Sequence, residues 1–584
     1  MTLLNKFNTF WKKLQFWKRS RIIKSGKEIP DWIEPFRRWV FGSALIALIF
    51  IIFEAGLRWQ FPPFVSWIFV TIDYLVFGLF TADMILTFLY TYPKSHFFRN
   101  NWLDLLVFLP VMLRLVPIQS GVGLIIIRHL LVLIKIFTRT RKFSNILRGI
   151  RLNTAQIVAL SFIITICIGM VLLTFPTATT DGQGASLIDA LFTSTSATCV
   201  TGLIVQDTPH YFSRFGQWVI LALIQLGGLG IMTYSAFVAL LLKKFSLGQR
   251  KMVQEMFEEE RNVFSMIFYI VKMTFFVELA GIVLLFVRWN FVFKDPMQTL
   301  YLSVFHSVSA FCNAGFSLFS DSLEGFTGDL WINAMMMLLI VVGGLGFIVI
   351  YETSGQWKKQ KLRLSTHSRI VIFSSAFLIV LGFLVIFFFE FDGSLIDYPL
   401  PTRFLAALFQ SVTARTAGFN TIPVGQLSRV SLTFIILLMF IGASPGSTGG
   451  GIKTTTFAVL LLSVTSIFRG RDHVEVFRRS ILPANILKAL ALLVFALVLV
   501  VIIFGLLLAT EDFAYLPLLF ETVSAFGTVG LSTGITASLS TSGKLLIILL
   551  MYAGRIGPLT LGLALAREMK KKKVGYPDAR VMIG

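Results

Sequence analysis

Ser196-Ala197-Thr198-Cys199-Val200-Thr201-Gly202-Leu203 returns three times along the chain in altered form. It recurs as Ser309-Ala310-Phe311-Cys312-Asn313-Ala314-Gly315-Phe316, as Thr413-Ala414-Arg415-Thr416-Ala417-Gly418-Phe419, and as Ser524-Ala525-Phe526-Gly527-Thr528-Val529-Gly530-Leu531. Each copy follows a short apolar run containing Phe192, Phe305, Phe409 or Phe520, and lies between two long hydrophobic segments. The unit is helix, half-helix, loop, helix, four times over. Irregular backbone at membrane depth survives only where it is buried in protein or lines a water-filled cavity. Loops converging on one axis would present rings of carbonyls that replace the hydration shell of a small cation. The closing glycine fits, since inward-facing successive carbonyls need angles that Gly adopts without strain. The candidate ion-binding residues are therefore Cys199, Val200, Thr201, Gly202, Cys312, Asn313, Ala314, Gly315, Thr416, Ala417, Gly418, Gly527, Thr528, Val529 and Gly530. The alternative, four small-residue helix contacts of the kind common in membrane bundles, does not account for the shared order and even spacing.

Composition agrees. Hydrophobic residues make up 56% of 584 and charged residues only 14%, as in a polytopic membrane protein needing ~20 apolar residues per helix. The net charge of +22 sits in short loops between hydrophobic segments, which is the positive-inside pattern rather than a nucleic-acid surface. Basic loops 243–261, 357–369, 469–479 and 567–573 alternate with loops holding Asp207, Asp321, Glu324, Asp329, Asp392, Asp397, Glu511 and Asp512. An acidic outer face would concentrate cations at a pore mouth. Cys167, Cys199 and Cys312 have neither disulfide nor metal spacing, and the six histidines are scattered. Nothing converges to make an enzyme.

Beside the four loops stands Ser444-Pro445-Gly446-Ser447-Thr448-Gly449-Gly450-Gly451-Ile452-Lys453-Thr454. Such a run cannot continue a helix cheaply, so the second helix of the third repeat breaks from Gly442 through Gly451. Together these motifs resemble the Trk/Ktr/HKT superfamily of potassium transporters (TrkH/KtrB-like) over roughly residues 150–570. The resemblance implies an all-α polytopic fold with a pseudo-fourfold pore. It also implies potassium in the filter, sodium as a candidate coupling ion, a homodimer, and a cytosolic nucleotide-binding regulatory subunit. The gate residues it implies are Gly446, Ser447, Thr448, Gly449, Gly450, Gly451 and Lys453, with Arg555 of Gly554-Arg555-Ile556-Gly557 against that loop. Glu278 reads as a hydrogen-bonding helix residue. The third copy departs from the pattern: it is one residue shorter from Phe to Gly and carries Arg415 where the others have a smaller residue. Its carbonyl positions are the least predictable.

Ahead of the repeats, segments 39–59, 64–92, 102–118 and 122–138 read as four further membrane helices. Asp83, Asp104, Arg128, Lys135 and Arg139 give them a layout that resembles a voltage-sensor domain. A sensing helix repeats a cation every third position, and moving one charge yields ~2.3 kcal/mol per 100 mV, so these few charges support a docking module or a weak sensor. The expected domains are a basic cytoplasmic or interfacial segment 1–38, with no signal-peptide core, and the four-helix module and linker 39–152. They are followed by a pore module 153–566 (about 153–262, 263–368, 369–480 and 481–566) and a basic tail 567–584. The expected function is gated potassium uptake across the cell membrane, with the N-terminus cytoplasmic. The alternative is a voltage-dependent or sodium-conducting cation channel.

Overall fold

The computed structural model describes residues 154–241, 263–356, 364–557 and 560–562, with Thr71, Gly78, Thr81, Ala82, Ile85 and Phe88 ahead of them. The segment 1–38, the tail 567–584 and the candidate sensor charges Asp83, Asp104, Arg128, Lys135 and Arg139 lie outside the described residues. The chain divides into two compact units, 1–149 and 150–584, and the described fold is that of the second.

Each repeat supplies a long first helix, a pore helix and a second helix. These are α1 Thr154–Leu173, α2 Leu187–Thr198 and α3 Arg214–Leu241 in the first, then α4 Val263–Trp289, α5 Pro296–Cys312, α6 Leu330–Leu345 and α7 Phe347–Gln356. The third has α8 Thr366–Glu390, α9 Leu400–Thr413, α10 Arg429–Phe440 and α11 Thr454–Phe468. The fourth has α12 Pro483–Thr510, α13 Tyr515–Gly527 and α14 Thr541–Ile556. Helix starts follow from local chemistry. Ser186, Asp295, Asp329, Ser365, Ser428 and Ser540 accept hydrogen bonds from the first-turn amides of α2, α5, α6, α8, α10 and α14, as good N-caps do. Among the described residues four helices, α1, α4 (as Tyr269–Trp289), α8 and α12, are long and apolar enough to cross a membrane, or five if α6 and α7 count as one bent span. Among the described residues the fold is helical except for one hairpin in the basic loop after the third repeat. There β1 Glu475–Val476 pairs antiparallel with β2 Arg479–Ser480.

A recurring clamp fixes each pore helix to its first helix. Ser194, Ser307 and Ser411 donate to the carbonyls of Ile166, Glu278 and Ile379 at 2.7, 2.8 and 2.7 Å. Three residues beyond each acceptor stands Gly169, Gly281 or Gly382, where a Cβ would fall within 2.4 Å of that serine oxygen. In the fourth repeat Thr522 turns back to Leu518 of its own helix, at 2.7 Å. The second helices then link the repeats: α3 packs on α5, α6 on α9, α10 on α13, and α14 returns to α2. The packing closes on itself, so four pore helices surround one centre.

Candidate functional site

At that centre the four closing glycines touch in a cycle. A Cβ on Gly202 would meet the Ala314 carbonyl oxygen at 2.4 Å, one on Gly315 the Ala417 oxygen at 3.0 Å, one on Gly418 the Val529 oxygen at 2.5 Å, and one on Gly530 the Thr201 oxygen at 2.1 Å. Each glycine thus lies against the carbonyl preceding the next loop's glycine. All four have positive φ, between 71° and 92°. Positive φ is not confined to the glycines. Val200, Asn313, Thr416 and Thr528, each two residues before its glycine, also have positive φ, at 58°, 59°, 69° and 49°. Strain of this kind in β-branched residues persists only where the surroundings over-determine it. The hydroxyl opening each motif does part of this. Ser196 and Ser524 accept from the amides of Gly202 and Gly530 at 3.1 and 3.2 Å. Ser309, Thr413 and Ser524 donate to the carbonyls of Phe316, Phe419 and Leu531 at 2.6–2.7 Å.

The third loop keeps this register despite its shortening. In the other three the residue before Gly donates five residues back (Thr201 to Ser196, Ala314 to Ser309, Val529 to Ser524), whereas Ala417 donates four back to Thr413. The deletion is taken up where the pore helix ends, and Thr416 and Gly418 keep the φ signs of their counterparts. The hydroxyls of Thr198, Thr201, Thr416 and Thr528 are buried without a hydrogen-bond partner among the described residues. Carbonyls and hydroxyls make a neutral, oxygen-only donor set, which suits a weakly held alkali cation.

Residues 441–453 interrupt the second helix of the third repeat and run against these loops. A Cβ on Gly449 would meet the Thr416 hydroxyl at 2.1 Å, and one on Gly450 the Thr528 hydroxyl at 2.3 Å. Thr448 donates its amide to Gly343 and its hydroxyl to Phe311, both at 3.3 Å. Arg555 donates to the carbonyls of Thr448 and Gly227, and Lys453 Nζ donates to Gly449 at 2.7 Å and Gly450 at 3.4 Å. Both cations thus spend their donors on carbonyls that a continuous helix would have used itself. Gly446, Ser447 and Gly451 lie on the same segment, with Gly446 accepting from Phe347 N at 2.9 Å. Four loops in a ring with a broken helix pinned beneath them invite comparison with known proteins. A family model described as TrkH, cation transport protein, matches residues 125–574.

The chain belongs to the TrkH family of cation transport proteins. It is 39% identical to the Ktr system potassium uptake protein B of Bacillus subtilis (strain 168), over 76% of this chain and 100% of that protein. It is 37% identical to the potassium/sodium uptake protein NtpJ of Enterococcus hirae, over 74% of this chain and 98% of the relative. In fold it resembles the crystal structure of the potassium transporter TrkH from Vibrio parahaemolyticus, with a TM-score of 0.61 at 20% identity, over 80% of this chain and 96% of that one. These relatives are named for transport and uptake, not for enzymatic chemistry. The TrkH-family chain described here is accordingly a membrane-embedded, helical transporter.

The outer loops differ from their sequence expectation. Several of the acids expected to attract cations are engaged in structure. Asp329 caps α6 and pairs with Arg288 at 2.8 Å, Glu511 accepts from the Ser540 amide at 3.1 Å, and Glu324 accepts from Asn420 at 2.7 Å. Burial, with Asp321 beside it, pushes the Glu324 carboxyl up, and the Asn420 bond pulls against that. Sequence reasoning missed Asp189, Glu390, Glu521 and Lys544. Lys544 at the start of α14 pairs with Asp189 of α2 at 2.8 Å, tying the fourth repeat to the first. Glu521, fully buried in α13, accepts from Ser532, Thr533 and Thr536 just past the fourth loop. An acid inside an apolar pore-helix run was the available signal. Glu278 is buried, with Gln225 bonded to its carboxylate and one oxygen unpartnered among the described residues.

Proposed function

We propose that this chain takes potassium into the cell through the ring formed by its four loops, and that residues 442–453 gate the path. The reading rests on the glycine-to-carbonyl cycle through Gly202, Gly315, Gly418 and Gly530. Four loops held at one level offer an ion successive shells of carbonyl oxygen. Thr416 and Thr528 contact Gly449 and Gly450, so the broken helix stands next to that path, and Arg555 and Lys453 hold it in position. Potassium is favoured as the ion because relatives covered over most of their length are named for potassium uptake. Sodium enters as a coupling ion, consistent with a relative named for potassium and sodium together. The cell-membrane setting, a cytoplasmic N-terminus, a homodimer and a cytosolic nucleotide-binding regulatory subunit complete the proposal.

The test is ion uptake by purified full-length protein in liposomes, with potassium and sodium in competition. Saturable potassium uptake that sodium does not replace is expected. Equal uptake of both ions would overturn the potassium assignment. Currents that rise steeply with voltage would shift the reading toward a sensor-controlled channel.

A further inference from the structure

Arg415 is a charge that this function leaves unused. It immediately precedes Thr416 in the third loop and is nine-tenths buried, at 9% exposure. No acidic side chain pairs with it among the described residues. Its Nη1 reaches the Ser375 carbonyl at 3.3 Å and its Nη2 the Ser375 hydroxyl at 3.2 Å, both on α8. Its Nε has no partner among the described residues. A guanidinium carries five N–H donors and is rarely left so sparsely matched in a membrane protein. The C-terminal end of α9 offsets part of its charge, but other cations are expected only a few residues away, in the ion path.

Beside this side chain lies a cavity of about 20 Å³, lined by Arg415, Ser375, Ile379, Val412, Ile340 and Gly344. That is room for a single small species, since a water needs ~10–15 Å³. It excludes a phosphate, a lipid headgroup or a peptide carboxylate. Both polar side chains on its wall are donors: the Arg415 guanidinium, whose Nη1 and Nη2 each carry a second N–H beyond the one given to Ser375, and the Ser375 hydroxyl, which accepts from Arg415 and keeps its own proton to give. An unneutralised guanidinium and a hydroxyl among otherwise apolar side chains select a small anion over a cation.

We propose that this cavity holds a halide-sized monovalent anion, chloride in practice, and that its occupancy supports cation conduction. Gly344 on the cavity wall connects it to two parts of the ion path. The Gly344 carbonyl accepts from the amide of Ser444 in the gating segment at 3.1 Å. On its other side, a Cβ at Gly344 would meet the Asn313 side chain of the second loop at 3.3 Å. An anion on Arg415 therefore neutralises the charge behind the third loop and steadies the wall shared by the second loop and the gating segment. The coupling to conduction rests on the four-loop reading above, whereas the binding site does not.

The experiment uses the full-length protein in a voltage-clamped bilayer at fixed potassium, with chloride exchanged for gluconate, which is too large for the cavity. Wild-type current is expected to fall about fivefold in gluconate, the lower end of ordinary coupling between two sites, and bromide is expected to restore it. Arg415→Gln, which removes the charge that calls for the anion, should respond equally to both salts. Should that variant fail to fold, Ser375→Ala keeps the arginine and should shift the chloride dependence to higher concentration. Bromide-soaked crystals should show anomalous density beside the Arg415 guanidinium. Equal wild-type currents in both salts, or no bromide at Arg415, would overturn the proposal. Bromide bound there with salt-independent current would overturn the coupling, and would leave the four-loop reading to its own test in Gly202→Ser.

Discussion

The second helices of the second and third repeats meet the same demand in different ways. In the second repeat Gly343 packs so closely on the Phe311 carbonyl that a Cβ would lie 2.0 Å from it. The helix then bends by 102° between α6 and α7, turning at one residue, Gly346, with φ 94°. The first and fourth repeats repeat the close approach, with Gly227 on Thr198 O and Gly554 on Phe526 O, and break at Gly230 and Gly557. In the third repeat the break at the same level is drawn out into residues 441–453, carried on Arg555, Lys453 and a short bridge between Ile441 and Ile452. All four second helices must turn where they pass under a pore helix. Among the described residues only the third turn is drawn out over more than a single glycine, which is why the proposed function assigns the gate to that repeat and the frame to the other three.

The largest effect should come from cutting the gate loose. Deleting part of Gly446–Gly451, or Arg555→Ala, is expected to raise basal cation flux by about tenfold or more without an activating partner, since a charge-assisted hydrogen bond is worth ~1.5–3 kcal/mol. Arg555→Lys should fall between, because an ammonium lacks the guanidinium fork. Gly346→Ala tests the frame. Its Cβ would press on Pro445 O at 2.6 Å, so it should lower thermal stability and raise liposome flux less than Arg555→Ala does. If the gate variants reach the membrane with wild-type flux, the third break is a bend like the others.

A second comparison sets the first loop against the shortened third. Gly202 and Gly418 have φ of 92° and 78° and equally close carbonyl neighbours. Gly202→Ser and Gly418→Ser should therefore cut potassium-over-sodium permeability alike, by about tenfold. Bi-ionic reversal potentials would measure this. Loss in one loop only would mean that the loops are not equivalent.

Smaller effects belong to the outer seams. Lys544→Met leaves the buried Asp189 without its cation but still bonded to Gln206, and should cost ~1–2 kcal/mol, less than for a pair with no other partner. Adding Asp189→Asn should recover most of that in a denaturant titration. At the seam between the second and third repeats, the Glu324 carboxyl is held above its ordinary value. Folding then favours its protonated form, a contribution fully present below the unfolded pKa of ~4.3 and lost as pH rises through the folded value. Glu324→Gln should flatten the pH dependence of the melting temperature over that window while keeping an acceptor for Asn420. An unchanged slope would show that another group carries it.

The sequence alone determined the repeats, the loops, their closing glycines and the broken third helix. These are local features: apolar length, Gly and Pro content and spacing suffice to read them. Tertiary structure decided what each polar group does. Arg555 reaches Gly227 across 328 positions and Thr448 across 107, and Asp189 finds Lys544 across 355. Arg415 takes Ser375 from a neighbouring helix, and several of the outer acids turned out to be caps and ties. The positive φ of Val200 and Thr528 was equally invisible, because intrinsic preference argues against it and only the surrounding pore helices enforce it. Periodicity tells which segments are buried. Which buried donor meets which carbonyl depends on how four repeats close into a ring, and no stretch of one repeat contains that information.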